Sequence, residues 1–319
     1  MRTLYLVFSH HHQEQLLRLV TTIRQLSPNG IIVIHHDPSG ERLNTLPYAD
    51  KENIHIIPHP VCGQWGDFSL VEQYLHSFRW CLENLDFDWL VTITGLSYPI
   101  MQLQKFESYL EHSENDAYAY HFNAFDPNHW PEGTGKKRYL FAYFKLPKNP
   151  YYYKLPSNIK AALGSYRIRF NQIQPFFRII SMPRGGATRL GVRRWRLPFN
   201  KRFTIYGGRQ MININRKALD EIFSFLNENK KYISYSKRTL IPDESFFLNI
   251  LCNSPNLNVC NDILRHIKWP DNINHASSVD VILSDEVEKA IQSGNPFALK
   301  FDVKIDPKSL DIVDKFLGI

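Results

Sequence analysis

The stretch Ile241–Leu251, IPDESFFLNIL, sets two adjacent acids, Asp243 and Glu244, against a run that is otherwise almost wholly apolar. Three chemistries suit such a pair: metal ligation, general-base catalysis, or the acidic first turn of a helix. Pro242 and the two carboxylates are favoured in a first turn, where they stabilise the positive end of the helix dipole. The apolar context would also raise a carboxylate's pKa toward the range useful to a general base. The residues alone leave these alternatives open.

Other groups carry chemistry of their own. HHDPS places His36 and Asp37 at a strand end, where an acid can accept hydrogen bonds from a nucleotide's ribose or base; Asp-Pro-Ser is equally a good turn sequence. HHHQEQ contains three consecutive histidines, His10 to His12, which point in different directions on either a strand or a helix. No acid or cysteine pair accompanies them at metal-ligand spacing, so a strand-to-helix loop with substrate contact is expected. An Asp-x-Asp motif, the usual cation holder of nucleotide-sugar enzymes, occurs at Asp86-Phe87-Asp88. It precedes the strand WLVTITG, whereas a ligand crevice lies beyond the carboxyl ends of strands, where this chain has GLSYP with Ser97. A helix-to-strand turn is therefore expected there, and no divalent metal or other cofactor.

Without a metal, a departing diphosphate needs fixed cations. Arg265 in ILRHIKW and Lys300 in NPFALKFD are the candidates outside the basic middle of the chain. A lone cation is ordinarily a solvated surface charge, and a lysine with a buried stem would look like Lys300.

The elements that must position these groups alternate. TLYLVFS (3–9), IIVIHHD (31–37), ENIHIIP, WLVTITG (89–95) and DAYAYHF read as strands. Between them, Leu16, Leu17, Val20 and Ile23 mark one helix, DFSLVEQYLHSFRWCLENL (67–85) a second capped by Asp67, and QKFESYLEHS a third. The order predicts an α/β fold with a mostly parallel, doubly wound sheet. After residue 205 come a strand with a glycine pair, a second strand, a helix from near Asn215, a short helix over PDESFFLNILCNS, a strand-like NVCNDILRHIKW and a final helix over KSLDIVDKFLG.

Composition bounds the rest. With 319 residues, 43% of them apolar, the chain can bury a large core. Its N-terminal apolar run is too short for a signal peptide or a membrane span, and no later window reaches about 18 apolar residues. Cys62, Cys81, Cys252 and Cys260 form no C-x-x-C pair, which fits reduced thiols in a cytoplasmic protein, with a Cys252–Cys260 bridge disfavoured. The net charge of +7 is unevenly spread: residues 136–209 hold 18 Lys or Arg and no acid, leaving 38 − 18 = 20 basic against 31 acidic residues elsewhere. Pro, Gly, aromatics and Arg mix in this segment, predicting a loop-rich insertion with one or two short helices around 157–180. Such charge favours an anionic partner: a phosphorylated substrate, an acidic membrane face or nucleic acid.

YLVFSHH, IVIHHDPS, QWGDFSLVEQYLHSFRWCLEN, DFDWLVTITGLSYPI, GGRQMININRKAL, PDESFFLNIL and NPFALKFD, in this order over 1–121 and 203–303, resemble the core-2/I-branching β-1,6-N-acetylglucosaminyltransferase family, which includes peptide O-xylosyltransferases. The resemblance implies a single GT-A type (Rossmann-like) domain over 1–319, with a nucleotide-binding half (1–135), the basic insertion (136–205) and an acceptor and catalytic half (206–319). It implies inverting, metal-independent transfer from a UDP-sugar, GlcNAc in preference to xylose, to a glycan or lipid-linked acceptor. By the same resemblance Glu244 is the general base. Asp37 contacts the uridine, Arg265 and Lys300 neutralise the diphosphate, and His10 and Trp65 join the donor site. Ser97, Gly208 and Arg209 are expected near donor or acceptor, and Asp243 there or as the helix cap. Relatives of the Golgi carry an acid where Ser97 stands, together with a membrane anchor and several disulfides. Their lack here suggests a bacterial, cytoplasmic enzyme, peripheral on the inner membrane face through 136–209. The rival function is a non-catalytic protein that uses 136–209 to bind a membrane surface or, less expected, nucleic acid; the ordered crevice motifs elsewhere favour the enzyme.

Overall fold

Leu4–Val7 and Ile31–Ile34 are apolar at successive rather than alternate positions, the pattern of strands covered on both faces, and every one of these side chains is buried. In the computed structural model, which describes residues 1–49, 51–130, 133–147, 155–182, 187–197, 202–270 and 279–319, they form the centre of a seven-stranded sheet. The chain begins β1 (Thr3–Ser9), α1 (Gln13–Leu26), β2 (Ile31–His36), β3 (Ile54–Ile56), α2 (Ser69–Asn84), β4 (Trp89–Thr94), β5 (Ser97–Pro99), α3 (Leu103–Glu111), β6 (Ala117–Tyr118) and β7 (His121–Asn123). The basic segment contributes α4 (Thr134–Tyr139), β8 (Phe141–Lys145), α5 (Ser157–Ile173), β9 (Phe177–Ser181) and β10 (Thr188–Arg193). There follow β11 (Tyr206–Gly208), β12 (Asn213–Asn215), α6 (Arg216–Glu228), α7 (Lys230–Ser236), a 3₁₀ turn (Pro242–Glu244), α8 (Phe246–Leu251), β13 (Val259–Cys260), β14 (Arg265–Ile267), α9 (Val287–Gln292), β15 (Phe297–Leu299) and α10 (Lys308–Leu317).

The large sheet runs β13-β6-β12-β4-β1-β2-β3. β1 pairs in parallel with both β2 and β4, and β12 is antiparallel to both its neighbours. Because the chain leaves β1 for β2 on one side and returns to β4 on the other, a crevice opens at the carboxyl ends of β1 and β4. One apolar layer, with Leu16, Leu19 and Ile23 of α1 and Leu310 of α10, covers one face. A second, with Val71, Tyr74 and Phe78 of α2, Leu219 of α6 and Phe247 of α8, covers the other. This is the expected α/β, mostly parallel, doubly wound arrangement.

Several local expectations change. DAYAYHF and NVCNDILRHIKW each split into two strands. β6 joins the large sheet while β7 pairs with β11, and Leu264, at φ 55°, turns the chain between β13 and β14. Helix α2 begins at Ser69 with no side-chain cap; Asp67 instead pairs with Lys145 and with Arg189 at 3.3 Å, tying the basic segment to the nucleotide half. The segment itself is more regular than its composition implies: α5 is 17 residues long, and β8, β10 and β9 form an antiparallel sheet. Helix α6 starts where expected, and Asn215 caps it, its side chain accepting from the Ala218 amide at 2.9 Å. All four cysteines are free. Among the described residues, no helix is long and apolar enough to cross a membrane.

Candidate active site

A cavity of about 510 Å³ occupies the crevice, walled by the residues that end β1, β2 and β4: Ser9 to His12, Asp37, Ser39 and Thr94 to Leu96, with Trp65 and Gln210 opposite. The loop after β2 reaches under His10 because residue 40 is glycine; a Cβ there would lie 1.8 Å from the His10 carbonyl oxygen. Glu41 N–H donates to that same carbonyl at 2.8 Å. Burial, then the charge of His11, lowers the pKa of His10, and burial pulls His35 down to about 4, so both rings are favoured in the neutral form.

Asp37 is the best-held group on this wall. One carboxylate oxygen accepts from Ser39 N–H (2.8 Å) and Ser39 Oγ (2.7 Å), the other from Gly63 N–H and Gln73 Nε2, both at 2.7 Å. Burial opposes ionisation, but the bonds from Ser39, Gly63 and Gln73 outweigh it and hold the pKa below the usual range. With about four lone-pair sites filled, Asp37 fixes two stretches of cavity wall.

The sequence-predicted residues divide into three groups. His10, Asp37 and Trp65 line the cavity together. Lys300 does not line it, but its neighbour does meet the wall: Phe301 N–H donates to Leu96 O at 2.9 Å, and Gln15 Nε2 donates to Phe301 O at 2.9 Å, stitching the Lys-Phe-Asp segment to the turn after β4. Lys300 is half-buried, and its ammonium has no partner among the described residues. Arg265, Ser97 and Gly208 do not line this cavity: Arg265 lines a second one of about 460 Å³ together with Arg209 and Trp269, and Ser97 and Gly208 are buried. The Arg265 guanidinium donates to Ile263 O (3.1 Å), Leu264 O (2.8 Å), Thr92 O (3.0 Å) and Asn213 Oδ1 (2.9 Å), closing the gap between two sheets. Burial pushes its pKa down to about 9. Ser97 is fully buried, 3.1 Å from both the amide and the hydroxyl of Thr94. Gly208 packs so closely that a Cβ would sit 2.0 Å from Tyr120 O.

Glu244 and Asp243 form the third group, with Arg209. Ile241, at φ 48°, receives the chain from α7, and its N–H donates to Gly66 O at 3.3 Å. Trp65 packs in one apolar group with Ile241, Leu240, Phe141, Tyr143 and Met182, so the cavity wall continues directly into the Pro242–Glu244 turn. Ser245, at φ −145°, separates this turn from α8, so the acids do not begin a regular helix. Asp243 caps neither this turn nor α8: it is buried, and among the described residues its Oδ1 has no partner. Burial and then the neighbouring charge of Glu244 raise its pKa to about 7. Glu244 is half-buried, and its Oε2 accepts from Arg138 Nη1 at 2.5 Å. The Arg138 guanidinium lies 4.2 Å from the centre of the Trp130 ring, so Glu244 is held by a cation that is itself fixed. Arg209 senses the Glu244 charge and stacks 3.8 Å over Trp269, while Gln210, next in the chain, faces the cavity.

Arg138, Gln73 and Gln210 escaped sequence reasoning. Arg138 sits 106 residues from its partner inside a basic run that reads as general surface charge. The Asp86-x-Asp88 motif lies where expected, at the amino end of β4, with Asp88 Oδ2 accepting from Arg2 N–H at 2.6 Å. Among the described residues no group of three or more His, Cys, Asp or Glu gathers at metal-binding spacing.

The model of the Core-2/I-Branching enzyme family matches residues 5–291. The chain belongs to that family. Core-2/I-branching enzymes are glycosyltransferases, so this chain is a glycosyltransferase of GT-A type that uses a nucleotide-sugar donor and a glycan acceptor. No curated protein matches the sequence. Solved structures with similarity include mannose-1-phosphate geranyltransferase from Thermus thermophilus (14% identity, 82% of this chain and 74% of that one, TM-score 0.34). A197 from STIV is also similar (12%, 69% and 68%, TM-score 0.25), as is HddC from Yersinia pseudotuberculosis (10%, 39% and 60%, TM-score 0.25). Likeness at these scores carries no functional argument, so the assignment of this Core-2/I-branching enzyme rests on the family match.

Proposed function

We propose that the protein transfers a sugar, GlcNAc in preference to xylose, from a UDP-sugar in the 510 Å³ cavity to a hydroxyl of a glycan or lipid-linked acceptor, with inversion and without a metal. The observation that carries this reading is the Arg138-held carboxylate of Glu244 on a turn packed against the cavity's Trp65 wall. Glu244 takes the proton of the acceptor hydroxyl as its oxygen bonds to the anomeric carbon, while the bond from that carbon to the diphosphate oxygen breaks. Lys300, whose ammonium has no partner among the described residues, meets the charge that develops on the leaving UDP. Neutral His10 and the fixed Asp37–Ser39–Gly63 wall shape the nucleoside end.

Metal independence is supported by the Asp-x-Asp motif, whose Asp88 accepts from the Arg2 amide at the amino end of β4, away from the cavity. Thermal stabilisation by a panel of UDP-sugars, measured with EDTA present, tests donor and metal together. UDP-GlcNAc is expected to raise the melting temperature most. Stabilisation that vanishes with EDTA would overturn the metal-free mechanism.

A further inference from the structure

Helix α5 buries none of its residues, although five of its large apolar side chains recur at regular spacing. At about 100° per residue, Ile159, Leu163, Tyr166, Phe170 and Ile173 fall within an arc of about 80°. They are between 41% and 73% exposed. The helix is anchored by a different side: Asn171 Nδ2 donates to Ile179 O at 2.9 Å, and Ile179 N–H donates to Asn171 Oδ1 at 2.8 Å, on β9. The apolar stripe therefore stays in solvent. Arg167 and Arg169 lie about 80° to either side of its centre. At the end of β10 and just beyond it the same segment exposes Arg193, Trp195 and Arg196, with Trp195 86% exposed and stacked on Phe176.

We infer that this face, α5 with the Phe176–Trp195 corner, docks on an anionic lipid surface. An apolar stripe flanked by arginines whose stems can lie along it is the arrangement of a helix in the plane of a membrane interface. Aromatic rings beside it suit the headgroup level. The charge selects the occupant: residues 136–209 contain 18 Lys or Arg and no acid, so two copies of this face repel each other. Nucleic acid would satisfy the arginines and leave the aliphatic stripe in water, whereas an anionic bilayer satisfies both. The other side of the same segment, Phe141, Tyr143 and Met182, packs with Trp65 of the cavity wall, which ties the docked face to the site.

Co-sedimentation of the full-length protein with phosphatidylcholine vesicles, with or without about 30% phosphatidylglycerol, tests this. Binding is expected only to the anionic vesicles, and about 0.5 M NaCl weakens it. Two triple variants separate the contributions, and both should melt like the parent. Ile159→Ser/Leu163→Ser/Ile173→Ser should weaken binding at least about tenfold through lost apolar burial. Arg169→Gln/Arg193→Gln/Arg196→Gln should weaken it about a hundredfold, at about fivefold for each arginine near the surface. Equal binding to neutral vesicles, no binding to anionic ones, or a serine variant that binds like the parent would overturn the proposal. So would a parent that binds a single-stranded oligonucleotide and no vesicle, which would make the face a nucleic-acid surface.

Discussion

Asp243 is a buried carboxyl with an unpartnered oxygen beside a charged neighbour, and this makes stability depend on pH in an unusual direction. Burial, then the charge of Glu244, holds its pKa at about 7 in the fold, against 3.8 for the unperturbed group. Between these values the folded protein keeps a proton that the unfolded chain releases, so stability falls as pH rises through this window and levels off above it. The effect across pH 5 to pH 8 is on the order of a few kcal/mol. His35, whose pKa is lowered to about 4, acts in the opposite sense. The comparison must therefore be between the parent and Asp243→Asn, which keeps the size and removes the titration. Urea midpoints from pH 5 to pH 8 should show the parent losing stability relative to the variant, on the order of a few kcal/mol. Parallel pH profiles would refute the buried, protonated state of Asp243.

Arg138→Met should lower kcat/KM about thirtyfold in a transfer assay, since breaking a partly buried ion pair costs about 2 kcal/mol, between surface and core values. Arg138→Lys should recover part of the loss; unchanged kinetics in both would remove Arg138 from the site. Arg265→Met should act on the fold, costing about 3 kcal/mol by leaving Thr92 O and Asn213 Oδ1 unpaired, while the protein that remains folded binds UDP normally in calorimetry. Lys300→Met should lower kcat at least about tenfold with smaller effects on thermal stability, as expected for a cation acting on the leaving group.

The parts of the fold legible in the sequence are those where local pattern and burial coincide. The unbroken apolar runs of β1 and β2, the Leu16–Ile23 periodicity of α1 and the Asn215 cap need no long-range information. Helix α5 falls within 157–180, where one or two short helices were expected; its full 17-residue length was not legible because its apolar stripe faces solvent and its composition resembles a loop. The site was legible where a residue's position follows from a strand end, as for His10 and Asp37. It was not where function depends on distant partners. Arg265 resembles a free cation until the carbonyl of Thr92, 173 residues away, is seen to hold it. The cap role expected of Asp243 assumed a regular helix, and the base role of Glu244 came from the family resemblance; the 3₁₀ turn before Ser245 buries the first acid and leaves the second half-buried against Arg138.

The central claim is that Glu244 does chemistry without contributing to donor binding. Glu244→Gln keeps the shape and removes the base. With EDTA present, UDP-sugar affinity by calorimetry should stay within about twofold of the parent while transfer falls by at least about a hundredfold, the span of general-base catalysis. A variant that still transfers at near-parental rate, or one that loses the donor together with activity, would contradict the account.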